Sequence, residues 1–166
     1  MKTEESFKIP ETDRTPRSQD EIVVVSHCLL NPLVRIKGIK PTIPLDARGM
    51  NIIQLPCPET AYLGMNRREI TKTQLDFPAY RRFCRRIFLP YADLIEGLAI
   101  EGKKIKILGV PKSPSCGAEL TSVGGEPGKT LEFHHRHVEG AGVFMEEIKK
   151  ELQNRGVVFE FADTSL

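Results

Sequence analysis

The chain has 166 residues, 40% of them hydrophobic and 28% charged, with a formal net charge of +2, values ordinary for one soluble domain that can build its own core. So small a charge excludes the strongly basic surface of a protein that grips a nucleic-acid polymer. No apolar run has the length of a signal peptide or nears the roughly 20 residues of a membrane span, so the sequence reads as cytoplasmic, without a membrane partner. In that reducing compartment its 4 cysteines are expected to be metal ligands, catalytic groups or buried apolar side chains rather than disulfides.

Residues 1–20 are charged, contain prolines and carry few large apolar side chains, the composition of a flexible N-terminal arm. The rest, 21–166, is expected to form a single domain. Residues 22–25 are a continuous β-branched run, the pattern of a strand buried on both faces, and 51–55 and 104–110 repeat it. Between the first two, 31–49 is turn-rich and stiffened by Pro32, Pro41 and Pro44. From 77 to 100, Tyr80, Phe83, Cys84, Ile87, Phe88, Tyr91, Leu94, Ile95 and Leu98 recur at intervals of three and four, one face of a long helix that Pro90 is expected to kink or break in two. Arg81, Arg82, Arg85 and Arg86 fall on the other face. A second turn-rich stretch, 113–128, holds Gly124, Gly125 and Gly128; both stretches are longer than a simple connection requires, as functional loops are. Residues 140–154 predict a second helix through Val143, Phe144, Ile148 and Leu152, stopped by Gly156, and 157–161 a last strand. Alternating strands and helices predict a three-layer α/β sandwich around a mainly parallel, Rossmann-like sheet.

Three cysteines stand at strand exits, in Ser26-His27-Cys28-Leu29-Leu30, Leu55-Pro56-Cys57-Pro58-Glu59 and Ser113-Pro114-Ser115-Cys116-Gly117. The carboxyl ends of parallel strands line the crevice where such sheets bind ligands, so these thiols can converge. Cys84, on the apolar face of the long helix, is expected to be buried and inert. Three thiolates leave an open coordination position, the arrangement of a catalytic centre. Zinc would fit with His27 or water as fourth ligand, although closely spaced cysteine pairs are absent; a [4Fe-4S] cluster on three cysteines would leave one iron free. Spacing leaves both open.

The motifs Cys28-Leu29-Leu30, Cys57-Pro58-Glu59 and Ser113-Pro114-Ser115-Cys116-Gly117, in that order, resemble those of the family of small domains that includes 2-thiouracil desulfurase. The resemblance covers about residues 22–120. It implies an α/β fold and a [4Fe-4S] cluster held by Cys28, Cys57 and Cys116, whose free iron takes sulfur from a thiocarbonyl compound, releasing hydrosulfide and the oxo product. It further implies Glu59 as the proton-transferring acid or base and Ser113 as a substrate-positioning hydroxyl, with Ser115 as an alternative. Asn31 stands where the family has glycine, Val34 where it has another cysteine, and Thr60-Ala61-Tyr62-Leu63-Gly64 replaces a glycine-rich segment, which marks a divergent branch.

The expected activity is therefore iron-sulfur-dependent removal of sulfur from a small thio compound, such as a thiolated nucleobase; the alternative is a non-catalytic protein that binds and delivers metal, cluster or sulfide. A carboxylate two residues beyond a ligand can reach the open iron, and its structural alternative is a helix-capping glutamate. Arg35, Arg67 and Arg68 are either solvated or positioned to neutralise a cluster or anchor an anionic substrate. Residues 134–137 gather His134, His135 and His137 just before the last helix. Neighbouring residues of an extended segment point to opposite faces, so a polar loop is expected, with His137 the histidine assigned to the site. Glu139 would suit the N-terminus of the helix that follows.

Overall fold

The computed structural model describes residues 19–40, 43–129 and 135–165, so most of the expected N-terminal arm and His134 lie outside the described residues. Four strands, β1 (Glu21–Ser26), β2 (Asn51–Leu55), β3 (Lys104–Gly109) and β6 (Phe159–Asp163), form one sheet in the order β2-β1-β3-β6. All three pairings are parallel. Strand β1, with neighbours on both sides, buries its residues from Ile22 to Ser26, as its unbroken β-branched run predicts. In β3, Ile105 and Ile107 are buried while Lys106 and Leu108 are only partly so, because one sheet face is better covered than the other.

The two long helices, α4 (Pro78–Ile100) and α5 (Val143–Asn154), pack on one another and supply much of the core. Tyr80, Cys84, Phe88, Ala92 and Ile95 of α4 meet Val143, Phe144, Ile148 and Leu152 of α5, with Phe88 and Phe144 edge to face at 6.3 Å. The expected basic face of α4 is divided: Arg81 and Arg85 turn to the buried Glu147 at 2.8 and 3.2 Å, whereas Arg82 and Arg86 are exposed. On the opposite face, Val23, Lys106 and Leu108 border Gly49 and Met50 of the β1–β2 connection, which holds no long helix. No helix among the described residues is long and apolar enough to cross a membrane.

Three local expectations differ from the structure. Pro90 does not divide α4, which runs unbroken for 23 residues. Pro90 is exposed, so the carbonyl deprived of its donor can be solvated while the buried stripe continues, offsetting the roughly 3 kcal/mol that an interior proline costs. The last strand starts at Phe159 instead of residue 157, because Val157 belongs to the helix stop: Gly156 (φ 71°) donates to Gln153 O and Val157 to Leu152 O, a Schellman cap with its following apolar residue. Glu139 lies on β5 (Arg136–Glu139), an antiparallel partner of β4 (Leu120–Val123), and not in the first turn of α5. That two-stranded sheet crosses the stretch read as turn-rich. Short helices α1 (His27–Leu30), α2 (Pro58–Leu63) and α3 (Lys72–Leu75) also escaped the hydrophobic pattern, although Thr71 and Gln74 form a capping box around α3.

Two outcomes follow from this packing. Cys84 is fully buried and its thiol is pushed up to about 12, chiefly by that burial, so little thiolate is present at pH 8. Iodoacetamide at pH 8 should leave Cys84 unmodified in the native protein and label it after denaturation, as read by peptide mass spectrometry. At Gly109 an added Cβ would lie 2.6 Å from both Ala118 N and Asp163 Oδ1. Gly109→Ala should therefore lower the thermal unfolding midpoint by several degrees, corresponding to about 1–3 kcal/mol of overpacking, and unchanged melting would contradict this tight approach.

Candidate functional site

The three strand-exit cysteines line one cavity of about 410 Å³ at the carboxyl end of the sheet, together with Glu59, Ser113, Arg35 and His137. Register explains part of this meeting. Ser26 is paired with Leu55 across β1 and β2, and Cys28 and Cys57 each lie two residues beyond that pair. Cys28 sits in α1; Cys57 caps α2, with Pro58 at the first helical position, where the missing N–H costs nothing. Cys116 lies in the turn after β3, where Cys116 N donates to Ser113 Oγ at 3.0 Å and Val110 N to Cys116 O at 2.7 Å.

The Cys116 turn is fixed from several sides. Asp163, at the end of β6, accepts the amides of Ala118, Glu119 and Leu120 at 2.6, 3.0 and 2.9 Å. Amides at the start of α5 close the other side: Gly142 N reaches Gly117 O at 2.8 Å, Val143 N reaches Pro114 O at 2.9 Å and Met145 N reaches Ser115 O at 3.1 Å. Ser115 faces the core, its Oγ 2.8 Å from the Tyr80 hydroxyl, and does not line the cavity. Its place is that of an anchor for the turn, while Ser113, which does line the cavity, is the serine able to meet a ligand.

Burial, and then the neighbouring Cys57, pushes the Cys28 thiol up to about 11, against a smaller opposing pull from Arg35. Cys116 is likewise held well above the usual thiol range by burial and by Cys57 and Cys28. Ser26 Oγ is buried without a partner at hydrogen-bond distance, yet lies near enough to Cys116 to favour its charged form. Around Cys57 the donors are explicit: Thr60 N at 3.4 Å, Thr60 Oγ1 at 3.2 Å and Arg67 Nη2 at 4.0 Å all point at Sγ. Donors of this kind are what a metal-bound thiolate accepts. Among the described residues, no three His, Cys, Asp or Glu side chains are gathered tightly enough to hold a single metal ion.

Glu59 is buried in the first turn of α2, so the helix-capping position and the cavity position are the same. Its Oε2 accepts from Arg67 Nε at 3.1 Å, and the same guanidinium reaches Thr60 Oγ1 at 3.0 Å and Val34 O at 2.9 Å. Arg67 is thus neither solvated nor an open anion anchor, and Arg68 is exposed and does not line the cavity. Glu69 and His135 are among the lining residues that were not assigned to the site from the sequence. His135 rests 5.5 Å from the His137 ring, and its Nε2 is 3.6 Å from Glu69 Oε1. Their signal is an alternation: Arg67 and Glu69 line the cavity while Arg68 does not, and His135 and His137 do while Arg136 does not.

The chain is 26% identical over 147 residues to an uncharacterized protein of Methanocaldococcus jannaschii, a match spanning 84% of this chain and 82% of that protein. No family model matches the chain, and no solved structure matches it.

Proposed function

We propose that Cys28, Cys57 and Cys116 hold a [4Fe-4S] cluster and that the protein removes sulfur from a small thiocarbonyl compound. The observation that carries this is the meeting of three thiols from three separate strand ends, with a buried carboxylate, in one cavity. The residues fit such a group. The sulfur of Cys57 has three donors directed at it, and the orphaned Ser26 hydroxyl lies beside Cys116, ready for a charged sulfur. A single zinc ion needs every thiolate about 2.3 Å from one point. A cubane instead gives each thiolate its own iron.

When bound, the cluster would supply an open iron that takes the sulfur atom. The rest falls to this chain. A cavity of about 410 Å³ suits a compact ring-sized molecule. Ile36, Ile39, Ile70, Val110 and Pro111 give it apolar walls that exclude water from a flat substrate. The Ser113 oxygen already accepts the Cys116 amide, which leaves the hydroxyl proton to donate toward a bound ring. Glu59 is held by Arg67 at Oε2 and moves a proton at the substrate.

Anaerobic reconstitution tests the ligand set. Cys28→Ala, Cys57→Ala and Cys116→Ala should each lose most bound iron, whereas Cys84→Ala keeps it. Full iron in the triple variant would refute ligation, and equal loss in all four would point to misfolding. Wild-type protein should release hydrosulfide from at least one member of a panel of thiocarbonyl heterocycles.

Glu59→Gln should keep its iron and lose about a hundredfold to ten-thousandfold in turnover, the range for one general acid or base. The amide also weakens the pairing with Arg67, so the unfolding midpoint should fall measurably. Unchanged turnover at matched iron content would remove Glu59 from the chemistry.

A further inference from the structure

We infer that His135, oriented by Glu69 and flanked by His137, is a second proton-transfer residue of the cavity, acting alongside Glu59 on the water that replaces sulfur. This rests on the desulfurase reading. The overall change adds water to a thiocarbonyl group: a C–O bond forms, the C–S bond breaks, and sulfur leaves as hydrosulfide carrying one of the water protons. The other proton passes to solvent, and no oxidant or reductant is consumed. Both protons must leave the attacking oxygen, one of them to reach the departing sulfur and the other to reach solvent. Glu59 has Oε2 committed to Arg67 and offers one station for these two transfers.

The second station lines the same cavity. Residues 67 and 69 carry two charged groups into it, Arg67 to Glu59 and Glu69 to His135, with exposed Arg68 between them. From the other side, β5 and the residue before it bring His135 and His137 to the cavity at alternate positions, the spacing that puts side chains on one face of an extended segment. His137 is paired with Ser122 on β4, which also lines the cavity, so this wall is tied by a short sheet to the chain that leaves Cys116. With Glu69 facing Nε2, a neutral His135 ring is biased toward carrying its proton on that nitrogen. The 3.6 Å between Glu69 and His135 is an ion-pair distance, longer than a hydrogen bond, and contacts of this kind tighten when substrate fills a site.

A purely structural pair would tie β5 to residues 65–70 and do nothing else, so the test must separate the two roles. In iron-matched protein, His135→Ala should lower kcat about a hundredfold or more with KM changed by less than about threefold, and added imidazole should restore much of the rate. The same imidazole should not rescue Glu59→Gln. Glu69→Gln should lower kcat less, by about tenfold, and nitrogen-15 NMR should show the His135 ring moving from one predominant tautomer to a mixture. Wild-type kcat in His135→Ala would overturn the proposal; so would a loss that imidazole does not restore and that accompanies a lower unfolding midpoint. If wild-type protein releases no sulfide from any thiocarbonyl compound, the desulfurase reading falls and this catalytic role with it. The tautomer measurement would still decide whether Glu69 orients the ring.

Discussion

A buried guanidinium holds the cavity together. The Arg67 side chain is only 5% exposed, and its nitrogens reach Glu59, Thr60, Val34 and the sulfur of Cys57. Those partners come from the β1–β2 connection and from both the cap and the first turn of α2. A buried ion pair contributes little net stability, but removing one partner strands a charge and typically costs about 3–5 kcal/mol. The cation therefore works as a fastener: Cys57 and Glu59 keep their places relative to the chain after Cys28 because all of them answer to one planar group with fixed donor directions.

The third thiol depends on a different fastener. Cys116 belongs to a turn whose neighbouring amides are taken by Asp163 and whose carbonyls are taken by the first amides of α5. Tyr80 adds a hydrogen bond from the core through Ser115, and burial keeps its phenol well above the usual tyrosine range, as a neutral partner. Two helices and an edge strand thus converge on residues 114–120. Gly117 and Gly142 show how close the approach is, since a Cβ at either would fall within 2.6 Å of backbone atoms. The position of Cys116 is a tertiary property.

That difference explains what could be read from the residues beforehand. Runs such as Ile22-Val23-Val24-Val25 state their own burial, and the three-and-four spacing of Tyr80, Cys84 and Phe88 states a helix face, so the sheet and its two long helices were legible. The strand-exit cysteines, Glu59 and Ser113 were legible because proline and glycine punctuate the places where they sit. Glu69 was not, and Arg67 was named only as one of three candidate cations without its pairing to Glu59, since a charged residue outside any periodic element looks solvated until its partner is known. Val157 misled because an apolar residue after a helix-stopping glycine serves a cap as well as it serves a strand. Ser115 and Ser113 look alike in the chain; only the packing of α4 separates the anchor from the hydroxyl that faces the cavity.

The Ser26–Leu55 pairing sets Cys28 and Cys57 at equal offsets from adjacent parallel strands. A slip of one residue would carry one sulfur about 3.3 Å along the sheet and turn its side chain to the other face, so strand register works as a gauge. Ile36, Ile39, Lys40, Glu69, His135 and Lys112, by contrast, stand on connections whose length and composition the sheet does not dictate. The architecture separates two kinds of inheritance. The spacing of Cys28 and Cys57 is tied to backbone pairing and can change only if the fold does, whereas the shape of the cavity around them can be rewritten by insertion, deletion or exchange of loops.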